Sequence, residues 1–128
     1  MSGYTAEQLK RNRASMLVQG GSEPERRAFV VATAQTLAGE PFLEAKDPAQ
    51  VLRSLHGSRG TVYVPDVTTL PEATQREVVR VLREKEERPR LALGVPTTVD
   101  GAHEKGLLTD DLKYWLRTAT IDLRKKGR

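Results

Sequence analysis

Gly60-Thr61-Val62-Tyr63-Val64-Pro65-Asp66-Val67 carries the strongest strand signal in the chain. Four consecutive β-branched or aromatic residues stand between a glycine and a proline, so Thr61 to Val64 reads as a short buried strand. Pro71 then opens a long helix in which Val78, Val81, Leu82 and Lys85 share one face, and Pro89 stops it. Leu91-Ala92-Leu93-Gly94-Val95 follows as another strand. A strand, a helix and a strand in that order predict a parallel pair joined by a crossover.

The alternation extends in both directions. Upstream, Thr5-Ala6-Glu7-Gln8 has capping-box spacing and starts a short basic helix to about Ala14. Met16-Leu17-Val18 is a buried strand, and Gly20-Gly21 turns the chain. Ser22-Glu23-Pro24-Glu25 is a second capping box, opening a helix that carries Phe29, Val30, Thr33 and Leu37 before Ala38-Gly39 ends it. Phe42 to Ala45 reads as a strand. Asp47-Pro48-Ala49-Gln50 caps a helix with Val51, Leu52 and Leu55, and Gly57 to Gly60 is a turn. Downstream, Leu107 to Leu116 contains a helix, and Ala119 to Leu123 forms a fifth strand. Right-handed crossovers would put helices on both faces of the sheet.

The 128 residues suit a single α/β domain over 1–123, followed by a basic tail, Arg124-Lys125-Lys126-Gly127-Arg128. Aromatic residues are only 5%, so the core must rest on Val, Leu and Ala. The absence of cysteine excludes disulfides, thiolate metal sites and Cys nucleophiles. Met1-Ser2-Gly3-Tyr4 begins no signal-peptide pattern and no apolar run suits a membrane span, so a cytoplasmic protein without membrane insertion is expected. The formal net charge is +4. The tail and Lys10-Arg11-Asn12-Arg13 raise nucleic-acid binding as one expectation; a solvated chain end is the simpler reading of the tail.

The order of segments from Gly60 to Leu123 resembles the Walker B half of bacterial enhancer-binding proteins, the AAA+ activators of sigma-54 RNA polymerase. The resemblance rests on Thr61-Val62-Tyr63-Val64-Pro65-Asp66, Leu70-Pro71, Gln75, Arg80-Val81-Leu82-Arg83-Glu84 and Leu108-Thr109-Asp110-Asp111-Leu112-Lys113-Tyr114-Trp115-Leu116. Upstream, Met16 to Val31 stands where that family has its phosphate loop, and Glu40-Pro41-Phe42 resembles the tripeptide before its second strand. The resemblance implies a three-layer α/β sandwich with a five-stranded parallel sheet in the order 5-1-4-3-2, strand one central, and no helical lid.

Set against the family pattern, this sequence departs at each position that ATP hydrolysis needs. A phosphate loop needs glycines, then Lys and Ser or Thr. Here Glu23 and Glu25 stand at two glycine positions, Pro24 removes an amide donor, Arg26 takes the lysine position and Arg27 the one beside it. Pro65-Asp66 replaces the Asp-Glu pair, and Asp66 also suits a turn or cap after the strand. Gly94-Val95-Pro96-Thr97-Thr98 replaces the sensor segment, with Thr97 and Thr98 left for structural hydrogen bonds. Thr109 and Trp115 stand where the family carries trans-acting arginines. Only Ala45 to Arg59 occupies the place of the long sigma-contacting loop, and neither a lid nor a helix-turn-helix is expected after the fifth strand.

The expectation is therefore a pseudo-ATPase: no enzyme, with no catalytic, cofactor or metal residues. It would act as a regulatory scaffold for another protein, as a monomer or small oligomer rather than a ring. Alternatives are a nucleic-acid-binding regulator and a weak nucleotide-binding switch. Tyr114 and Trp115 are candidate partner anchors, since Trp and Tyr are favoured at interface hot spots; core packing is the other reading of Trp115. His56 and His103 suit exposed loops better than a metal pair. Asp110-Asp111 suits a helix start, and Glu84 to Arg88 a solvated helix end.

Overall fold

The computed structural model describes residues 5, 8, 14–37 and 39–125. Five strands, β1 (Met16–Gln19), β2 (Phe42–Glu44), β3 (Thr61–Val64), β4 (Arg90–Val95) and β5 (Thr120–Asp122), form one sheet in the order β2-β3-β4-β1-β5. Every pairing is parallel, as crossover connections require. The expected order is thus observed, with one correction. The middle strand is β4, not β1, which lies between β4 and β5. All six residues of β4 are buried, since it has neighbours on both edges and cover on both faces.

Five helices connect the strands: α1 (Glu23–Gln35), α2 (Pro48–Ser54), α3 (Glu72–Glu84), α4 (Val99–Glu104) and α5 (Asp110–Trp115). Alternate side chains of each strand point to opposite faces and sort the core in two. Leu17, Val62, Val64, Leu91, Leu93 and Val95 face Val51, Val78, Val81, Ala102 and Leu112 from α2 to α5. Met16, Val18, Tyr63 and Ala92 face Val30 of α1, with Ala119. Among the described residues α1 covers one face and the other four helices cover the other, giving the three layers.

Local chemistry sets the helix starts. Ser22 and Glu25 complete one capping box, Asp47 and Gln50 another, each with Pro in the first turn. Thr5 and Gln8 exchange the reciprocal bonds of the box expected there; the rest of that helix, including Lys10 to Arg13, lies outside the described residues. So do Ala38 and tail residues 126–128.

Several boundaries differ from expectation. α1 ends at Gln35 rather than Ala38, and the chain turns at Gly39 with φ 82°. α3 ends at Glu84, not at Pro89; Lys85 is extended and its Nζ donates to Leu55 O and Gly57 O, 2.8 and 2.9 Å away. That side chain ties α2 to α3 instead of joining the apolar face of α3. Leu52 faces outward, because Val51 and Leu55 already supply the buried side of α2. β4 begins one residue early at a buried Arg90. α4 is not foreseen at all.

Candidate functional site

The loop after β1 and the first turn of α1 lie at the carboxyl end of the sheet, where open α/β sheets bind ligands. Gly20 and Gly21 adopt φ of 78° and 66°, conformations that glycine alone takes cheaply. Four backbone donors of this loop are engaged within the chain. Gly20 N–H donates to Val95 O (3.2 Å), Ser22 N–H to Glu25 Oε1 (2.7 Å), and Arg26 N–H to Ser22 O (3.0 Å). Glu25 N–H donates to Ser22 Oγ (3.2 Å), and Pro24 has no N–H.

Arg26 is only 4% exposed. Its Nη1 donates to the carbonyls of Gly20 (3.1 Å) and Gly21 (2.9 Å), so the guanidinium is folded under the loop. Replacing Arg26 by Met keeps the stem and removes both bonds. The expected cost is about 1 kcal/mol, seen as a melting temperature lower by about 3 °C. An unchanged melting temperature would mean the guanidinium does not brace the loop.

Glu23 starts α1 and reaches the sheet, where Oε2 accepts the Tyr63 hydroxyl at 2.8 Å. Burial, with the bond to Glu23 adding to it, pushes the Tyr63 phenol well above its usual range, so it stays a proton donor. Asp66 ends the loop after β3 as a cap: its Oδ1 accepts from Thr68 N–H (3.0 Å) and from the Thr68 hydroxyl. Glu23, Glu44, Lys46, Pro65, Asp66 and Thr69 line one groove of about 380 Å3. Glu44 also pairs with Arg27 at 3.2 Å, whose guanidinium lies over the Phe42 ring. Pro65 O presses against Gly94 of β4, where a Cβ would stand 2.3 Å away.

Further along the sheet end, Thr98 caps α4 through its hydroxyl, and Gln19 Oε1 of β1 accepts Val99 N–H at 2.7 Å. Thr109 caps α5 in the same way. Gln75 of α3 is buried between them. Its Nε2 donates to Leu70 O and Leu107 O, each at 3.0 Å, and its Oε1 accepts Thr109 N–H at 2.9 Å. His103 pairs with Asp110 across the α4–α5 junction, and Asp110 and Asp111 occupy the first turn of α5. Among the described residues no three His, Asp or Glu side chains are grouped as a metal site.

The sequence matches no family profile and no curated protein. Solved structures supply the comparison. NtrX from Brucella abortus in complex with ADP superposes with a TM-score of 0.73 at 16% identity, over 96% of this chain and 37% of that one. The P-loop NTPase domain of an Escherichia coli sigma-54 activator gives 0.74 at 15% identity, over 91% and 95%. A DNA polymerase III gamma subunit-related protein from Thermotoga maritima gives 0.67 at 16% identity, over 94% and 46%. The chain has the AAA+ core fold. It spans about a third of the length of the NtrX chain, and the likeness is one of fold.

Within the AAA+ core fold, the positions singled out in the sequence separate into two groups. Glu25 and Arg26 meet at the Gly20-Gly21 loop, and Glu23, Pro65 and Asp66 share the neighbouring groove. Thr109 caps α5, Tyr114 and Trp115 belong to it, and none of the three lines that groove. Trp115 is 42% exposed and Tyr114 57%, which rules out core packing for either; Leu112 and Leu116 fill that role. Of the two histidines, His103 sits in α4 rather than a loop. Sequence reasoning missed the Tyr63–Glu23 bond, the burial of Arg26 and the Gln75 junction. A polar residue on the apolar side of α3, three positions before Val78, was the available signal for Gln75.

Proposed function

We propose that this AAA+-like domain is a non-catalytic module that acts through contacts with another protein. One observation carries the reading: the Ser22 and Glu25 amides and the Arg26 guanidinium, which a phosphate loop would offer to a nucleotide, are spent inside the chain. The Glu25 carboxylate takes the Ser22 amide, Pro24 offers none, and Arg26 is turned under the loop to the Gly20 and Gly21 carbonyls. A triphosphate would meet the carboxylates of Glu23 and Glu25 where it needs donors. Nucleotide and magnesium therefore do not fit this set of residues, and no step of hydrolysis is derived from them.

The remaining positions support the same reading. Asp66 is committed to capping the turn after β3, and its neighbour Pro65 has no carboxylate to organise a magnesium ion. Thr109 is spent on capping α5, and Trp115 has no cationic group to reach a neighbour's phosphate. NtrX is recorded with ADP and with ATP; this chain would keep the shared fold as a rigid support for surface contacts. A monomer or small cytoplasmic oligomer fits better than a nucleotide-stitched ring.

Phosphate release from ATP with magnesium tests the proposal. The expected rate in the presence of the protein equals the buffer blank. Release that rises in proportion to protein concentration, and that Arg26→Ala abolishes, would overturn it.

A further inference from the structure

We infer that the exposed face of α5 and the turn after it dock an acidic, apolar-flanked segment of a protein, placing a carboxylate on Arg117 and an apolar side chain on Tyr114 and Trp115. This rests on the reading of the domain as a protein-contact module and names the chemistry of the contact. α5 is short, and its core duty falls to Leu112 and Leu116. The two aromatic rings are left outside, edge to face with centroids 6.3 Å apart. Each is large and has few rotatable bonds, so immobilising it in a complex costs little entropy.

Arg117 extends this surface. Its guanidinium lies over the Tyr114 ring, 3.9 Å from the centroid, and Nη1 donates to Tyr114 O at 2.7 Å. The exposed side chain is thereby held against the ring, with further N–H donors of its planar fork beyond the one given to Tyr114 O. The neighbouring cations are matched by carboxylates: Lys113 pairs with Asp100 at 3.1 Å, and Arg124 with Asp122 at 2.9 Å. Among the described residues no carboxylate pairs with Arg117. It borders a groove of about 410 Å3 whose other lining includes Gln19, Thr98 and Thr120. A preoriented guanidinium with spare donors beside two exposed rings is complementary to a carboxylate next to an apolar side chain.

The distribution of charge decides between a protein and a nucleic acid. Asp110 and Asp111 open the same helix, and Asp100 and Asp122 line the same groove. Three of these carboxylates are paired with His103, Lys113 and Arg124, which leaves Arg117 as the unmatched cation of this face among the described residues and suits one acidic side chain rather than a run of phosphates.

Trp115 is the only tryptophan, so its emission reports occupancy of this face. The probes are two blocked tetrapeptides, Glu-Glu-Leu-Phe and Lys-Lys-Leu-Phe, and a short oligothymidylate. The acidic peptide should give a saturable emission change with at least about tenfold tighter binding than the lysine peptide. Arg117→Glu should reverse that preference, while Arg53→Glu on α2 leaves it unchanged. Far-UV circular dichroism checks that both variants stay folded. Equal binding of the two peptides, no emission change with the acidic one, or an unaltered preference in Arg117→Glu would overturn the docking site. Tighter binding of oligothymidylate at Trp115 would overturn it in favour of nucleic acid. A parallel ATP titration separates the two levels of the argument. Failure with the peptides beside a flat ATP titration rejects this site alone, and ATP binding rejects the reading beneath it.

Discussion

Gln75→Leu should lower the stability of the domain by about 3 kcal/mol, read as a reduced urea midpoint with an unchanged slope. The side chains are similar in size, so the loss comes from hydrogen bonding. Leucine leaves Leu70 O, Leu107 O and Thr109 N–H without the partner that now satisfies all three. Groups abandoned in this way each cost about 1 kcal/mol, the buried Leu70 carbonyl more than the part-buried Leu107 carbonyl and Thr109 amide. The same junction positions the start of α5, so the variant should also exchange amide hydrogens faster over residues 107–112. Gln75→Glu is informative beside it. It keeps the acceptor for Thr109 and loses both donors, so most of the cost should remain. A midpoint within error of the parent for Gln75→Leu would mean that water replaces the amide at no cost.

Gly94→Ala should cost about 3 kcal/mol. Gly94 lies on β4, and an added Cβ would stand 2.3 Å from Pro65 O and 3.0 Å from Pro65 C. Both are backbone atoms, so a rotamer change offers no relief. Either β4 or the loop after β3 must move, and that loop carries Asp66 and one wall of the acidic groove. Gly57→Ala is the control, because its Cβ would meet only Ser54 O at 3.5 Å. That variant should stay within about 0.5 kcal/mol of the parent. Thermal unfolding of the pair checks the difference, and equal melting temperatures would contradict it.

The features legible in the sequence are those carried by local chemistry. The capping boxes at Ser22 and Asp47 are local hydrogen-bond patterns, and both are observed. Thr61 to Val64 is found at its expected bounds, because four β-branched or aromatic residues between glycine and proline allow few alternatives. The order of the strands followed from resemblance. α4 was missed because its six residues include Gly101 and begin at an ordinary Thr98 cap, too short for a period to show. Lys85 was placed on a helix because its spacing from Val78, Val81 and Leu82 suits one; its bonds to Leu55 O and Gly57 O come from a distant segment.

The candidate site was legible in identity but not in arrangement. Glu23, Glu25 and Arg26 stand out against the pattern of the family the sequence resembles, yet nothing local indicates where they turn. Glu25 bonds its own cap, Arg26 folds under the glycines, and Glu23 crosses to Tyr63, 40 residues away in the chain. The exposure of Tyr114 and Trp115 was undecided for a similar reason. Helical spacing places Leu112 and Leu116 on one side of α5, but only the packed fold shows that this side is full.

The central claim is that Ser22, Glu25 and Arg26 of this AAA+ core fold are committed to contacts within the chain and leave no site for a nucleotide. Calorimetric titration of the intact chain with ATP in the presence of magnesium tests it most directly. The account predicts only the heat of dilution, with no saturation up to millimolar nucleotide and no rise in melting temperature. A saturable heat, with a thermal shift that grows with ATP concentration, would contradict it.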